Sequence, residues 1–153
     1  MTLPTIVPTG FAATNADFLR VKKDSSGAVR NVRGSVSVPS GTVATTVVGL
    51  VPFSRGASFA INDKSVHCGN FGAASTTVDL GIIYDDNVTF TNDFDAFASL
   101  ATAPQAGGFV TIDEVEGMTL STAGNGWLCA RINTADADAT APITFTVNVS
   151  YDV

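Results

Sequence analysis

Residues 143–151, ITFTVNVSY, carry the plainest pattern of the chain: Ile143, Phe145, Val147, Val149 and Tyr151 alternate with Thr, Asn and Ser. Successive side chains of a strand point to opposite faces, so this stretch predicts a half-buried strand with one apolar and one polar face. GSVSV (34–38), TVATTVVGLV (42–51), ASFAI (57–61), TVDLGIIY (77–84), GFVTI (108–112), MTLS (118–121) and WLCARI (127–132) predict seven more. Asn125-Gly126, between the last two of these, predicts a tight hairpin turn, because both central positions of that turn need positive φ. One stretch has helical spacing instead. In TNDFDAFASLA (91–101), Phe94, Phe97 and Ala101 recur at i, i+3 and i+7, and Thr91 or Asn92 stands where an N-cap belongs. Asp93 and Asp95 then fall in the first turn, where negative charge suits the free N–H groups and the helix dipole.

Many short strands with turn signals between them and a single helical piece predict an all-β fold: an antiparallel β-sandwich, jelly-roll-like, with one short helix and an extended N-terminal arm. The arm is residues 1–33, where prolines and a KKDSSG turn interrupt any periodicity, and the sandwich is residues 34–153. A length of 153 residues suits one such domain. Hydrophobic residues make up 45%, yet no run of eighteen apolar residues occurs, so no membrane helix is expected. The opening MTLPTIVPTGFAATNA lacks a basic stretch and its apolar patch is broken by Pro4 and Pro8, unlike a secretory signal; synthesis in a host cytoplasm is expected. In a reducing compartment, Cys68 and Cys129 are expected to be two buried thiols rather than a disulfide.

Charge divides the chain. Residues 1–33 hold Arg20, Lys22, Lys23, Arg30 and Arg33 against Asp17 and Asp24, a net +3, while the remainder carries −9 and the whole −6. The acidic body excludes a nucleic-acid role, since it would repel a phosphate backbone. The basic residues make the arm suited to an acidic protein surface or to other copies of the chain, and they are the expected contact residues.

Candidate chemistry changes this picture little. Tyr84-Asp85-Asp86 matches the metal-holding tripeptide of template-copying polymerases, but no basic template channel accompanies it. Asp85, Asp86, Asn87, Asp93 and Asp95 could offer oxygens to Ca²⁺, but not at EF-hand spacing; a turn followed by a capped helix explains them without a metal. His67 is the single histidine, and Cys68 beside it points the other way on a strand. No G-x-S-x-G elbow, paired zinc spacing or phosphate-cradling glycine loop is present. The chain is expected not to be an enzyme and to need no cofactor or metal. Trp127 at a strand start could stack on a sugar, which keeps a carbohydrate- or receptor-binding module, such as that of a fibre or spike, as the alternative.

The succession TVDLGIIYDDNVTFTNDFDAFAS, AGGFVTIDEVEGMTLSTAGNGWLCARI and ITFTVNVSYDV resembles small virion proteins of tailed bacteriophages, the capsid decoration or cement type, over roughly residues 34–153. The resemblance implies a β-sandwich on the outer capsid surface of the virion, often a homotrimer, that binds the major capsid protein and bridges its subunits without catalysis.

Overall fold

The structure is a computed structural model that describes residues 4–8, 29–72, 75–113, 119–134 and 140–151. Among the described residues, ten strands and one short helix follow in order: β1 Arg30–Val38, β2 Val47–Phe53, β3 Ala57–Ala60, β4 Val66–Cys68, β5 Val78–Tyr84, β6 Asp93–Ala101, α1 Ala103–Ala106, β7 Gly108–Phe109, β8 Thr119–Ser121, β9 Gly126–Ile132 and β10 Ala141–Tyr151. They form two antiparallel sheets packed as a sandwich. One runs β2-β9-β5-β6. In the other, β10 is central: β1 lines one side of it along its length, and β3 and β4 share the other side end to end, followed by β8 and β7.

The alternation read in residues 143–151 is realised in β10. Ile143, Phe145, Val147 and Val149 are buried, while Thr144, Thr146 and Asn148 face outward. From the opposite sheet Val78, Leu80, Ile82 and Tyr84 of β5 and Leu128, Ala130 and Ile132 of β9 meet them. Phe59 bridges the layers, edge-on to Phe53 at 5.3 Å and to Phe97 at 6.5 Å between ring centroids. Edge-to-face contact brings the positive rim of one ring to the negative face of another, adding to the burial of both.

The second face of the four-stranded sheet is covered too. Ile83, Trp127 and Cys129 form a small outer cluster against which Val7, Val47 and Phe94 pack. The N-terminal residues hold this cover: Thr5 donates its N–H to the Val47 carbonyl at 2.8 Å, Gly49 donates to the Ile6 carbonyl at 2.7 Å, and Ile6 forms a parallel bridge with Val48. Burial on both faces explains why TVDLGIIY and WLCARI are nearly continuous in apolar residues.

Three expectations require correction. Residues 93–101 are strand β6, not a helix, and the short helix is α1, just after it. Asn92 caps no helix; its Oδ1 accepts the Tyr84 N–H at 2.8 Å. Asn125-Gly126 is not a hairpin turn, because β8 pairs with β3 in one sheet while β9 lies in the other, and residues 122–125 cross between them. Gly126 is required for a different reason: a Cβ there would run into the Ile83 carbonyl oxygen of the adjacent β5.

Candidate functional site

The outward face of the β10 sheet is polar and flat: Arg33, Ser35 and Ser37 stand on β1, Thr144, Thr146 and Asn148 on β10. On it Arg33, Lys64 and His67 line one cleft of about 200 Å3. Sheet register builds this cluster. Arg33 is opposite Thr146 and His67 opposite Thr144, so the two flank β10 from either side, two strand spacings or about 10 Å across the sheet. Lys64 comes from the β3–β4 turn, which Asn62 and Ser65 lock: the Asn62 N–H donates to Ser65 Oγ at 2.9 Å and the Lys64 N–H to Asn62 Oδ1 at 2.8 Å. Arg33 is steadied by donating from Nε to Asn31 Oδ1 at 2.8 Å. Among the described residues neither Arg33 nor Lys64 has a carboxylate at ion-pair distance, whereas Arg131 is paired with Asp79.

Phe109 is a wall of this cleft, 52% exposed, with its ring edge-on to His67 at 5.1 Å. It also borders a second cleft of about 420 Å3, where Leu100, Ala101, Ala103 and Ala106 stand beside the polar side chains of Ser99, Thr102, Thr111 and Asp113. Leu100 is 61% exposed and holds φ +51°, a left-handed conformation that costs a Cβ-bearing residue about 1–2 kcal/mol. Asp79 imposes it. Its buried carboxylate accepts the Leu100 N–H at 2.8 Å, Asn133 Nδ2 at 2.7 Å, and Arg131 Nε and Nη2 at 3.1 and 2.5 Å. The Arg131 guanidinium in turn lies 4.5 Å from the centroid of the Phe94 ring.

The acidic stretch resolves into turn chemistry. Asp86 Oδ1 accepts the Val88 and Thr89 N–H groups at 3.1 and 3.2 Å, and bonding to Thr89 lowers its pKa. Burial raises the pKa of Asp85, whose Oδ1 has no partner among the described residues. Asp93 is raised by desolvation and then by neighbouring Asp95. No group of three or more His, Cys, Asp or Glu among the described residues is arranged to hold a metal.

His67 makes no hydrogen bond to a serine, cysteine or carboxylate among the described residues; its neighbour Cys68 faces the core, where burial pushes the thiol up to about 12. Cys129 is likewise free, buried and raised, on the far side of the other sheet. Trp127 and Tyr84 are buried, so neither offers the exposed ring that sugar stacking needs. Of the five expected contact residues, Arg20, Lys22 and Lys23 lie outside the described residues. Arg30 and Arg33 belong to β1, within the sheet. Lys64, His67, Leu100 and Phe109 carry no local sequence signal; only strand pairing brings the first two beside Arg33.

Fold and site together define an all-β sandwich whose described residues form, among other surface features, a basic cleft and a second cleft of mixed lining that shares Phe109 with it. No protein-family model matches the sequence, and no curated protein matches it. Among solved structures, the chain is similar to one from the capsid of Ralstonia phage GP4, with a TM-score of 0.60 and 16% identity over 85% of this chain and 88% of that one. It is also similar to one from the cyanophage Pam1 capsid asymmetric unit, with a TM-score of 0.58 and 16% identity over 82% of this chain and 86% of that one. The chain shares their fold.

Proposed function

We propose that the chain is a virion structural protein of a tailed phage, a decoration or cement protein that binds the outer surface of the capsid and bridges subunits of the major capsid protein. The observation that carries this reading is the fold shared, nearly end to end, with chains of two phage capsids. The polar sheet face with its unpaired cations supports a role in holding another protein. A ligand that binds only the assembled shell stabilises it by RT ln(1 + [L]/Kd), and a homotrimer would make its second and third contacts intramolecular. In this reading Arg20, Lys22, Lys23, Arg30 and Arg33 contact the capsid.

The test is co-sedimentation of the purified protein with expanded capsids that lack it, together with the melting temperature of those capsids. Binding with a raised capsid melting temperature is expected; failure to sediment overturns the reading. Charge reversal at Arg20, Lys22 and Lys23 should weaken binding more at low than at high salt.

A further inference from the structure

We infer that the two clefts that share Phe109 are a single recognition groove for an extended segment of a neighbouring capsid protein, one that places a carboxylate two residues from an aliphatic side chain. The inference rests on the decoration reading and supplies the chemistry of its contact.

Charge complementarity fixes the first half. Arg33 and Lys64 converge on one cleft of a protein of net charge −6 and find no carboxylate there among the described residues. A carboxylate entering between them meets a planar guanidinium and an ammonium, with the Thr144 and Thr146 hydroxyls on the cleft lining. The second half is fixed by Leu100. A leucine in a left-handed conformation, held there by a buried carboxylate and turned toward solvent, is an outlier of the kind that clusters at ligand-gripping sites. It lines the adjoining cleft with Ala101, Ala103 and Ala106, whose small side chains leave room for an aliphatic one beside the polar groups of Ser99, Thr102, Thr111 and Asp113. Phe109 borders both clefts, so side chains two residues apart in one extended segment, which share a face, can enter one cleft each. The wall is fixed: β7 pairs with β4 at His67–Phe109, and Asp63 Oδ1 and Asp113 Oδ1 tie the loop by accepting the Ile112 and Ser99 N–H groups at 2.8 and 3.1 Å.

The experiment compares wild type, Arg33→Glu/Lys64→Glu, Leu100→Asn and Arg55→Glu for binding to capsids lacking the protein, at low and high salt. Melting of each free variant confirms that it is folded. Asparagine tolerates the left-handed conformation, so Leu100→Asn removes the apolar contact and keeps the backbone. The double variant should bind at least about tenfold more weakly at low salt, with the loss shrinking at high salt. Leu100→Asn should lose affinity at both salt concentrations, and Arg55→Glu, an exposed charge reversal between β2 and β3 that lines neither cleft, should bind as wild type. Undiminished binding by both groove variants while wild type binds overturns the groove and leaves the decoration reading standing. Failure of wild type itself removes both. Loss of self-association instead of capsid binding would make a second copy the occupant, and loss of a wild-type DNA gel shift would make it nucleic acid; either result overturns the inference.

Discussion

Asp79 ties together Leu100, Arg131 and Asn133. Its carboxylate is almost wholly buried and takes hydrogen bonds from a backbone N–H, an amide and the Nε and Nη2 of one guanidinium, so its lone pairs are well used. Removing one partner of such a pair costs more than the pair contributes, because the other charge is left without compensation. Here Arg131 is only about one-third exposed, and Leu100 would also lose the acceptor that holds its left-handed turn. Asp79→Ala should therefore destabilise the protein by about 3 kcal/mol, at the lower end for a broken buried pair since Arg131 keeps some water contact. Urea denaturation measures this, and a loss below about 1 kcal/mol, the range of exposed pairs, would show that the network is not acting as a buried one.

At the scale of elements, β6 separates what the sequence makes legible from what it hides. Strands β1, β3, β5, β9 and β10 follow from alternation or from short apolar runs bounded by turn residues, and each lies within a few residues of its expected place. In β6 the register against β5 shifts twice, between Val78 and Leu80 and again between Leu80 and Ile82. The bulges place Phe97 and Ala98 both in the interior and send Phe94 to the outer cluster. Extra residues inserted in a strand break the period of two, and the resulting spacing imitates a helix. At Gly81 the β6 backbone crosses so closely that a Cβ would meet the Asp93 carbonyl oxygen, a constraint with no local signature. Strand β4 has only three residues, too few to show a period. In β6 Asp93 stands beside Asp95, where desolvation, then a side-chain hydrogen bond with Asp95, then its like charge raise the Asp93 carboxyl above its ordinary 3.8. A raised folded pKa means that the folded state holds the proton more tightly than the unfolded chain, so the carboxylate form opposes folding at neutral pH. Asp93→Asn should accordingly raise the melting temperature at neutral pH. The gain should shrink as pH falls through the raised pKa toward 3.8, where wild type is protonated in both states. A gain that grows on acidification would reverse the assigned sign.

For the whole molecule, the first described residues join both layers of the sandwich: residues 4–8 lie along β2 in one sheet, and residues from Arg30 onward lie along β10 in the other. The first of these segments is also a structural cover: Pro4 is buried, its ring lies near Gly49, and Val7 packs on the cluster of Ile83, Trp127 and Cys129. Without that cover the outer face of the four-stranded sheet would expose its tryptophan. Burying an aliphatic side chain contributes about 1.5–3 kcal/mol when complete, and Ile6 and Val7 are half-buried. Ile6→Ser/Val7→Ser should thus cost roughly 2 kcal/mol in all and move Trp127 toward water. Because Trp127 is the only tryptophan, its emission reports this site alone. A red shift in the native state, together with a lower urea midpoint, is the expected result. If emission and midpoint both stay as in wild type, residues 4–8 are not held on the sheet in solution.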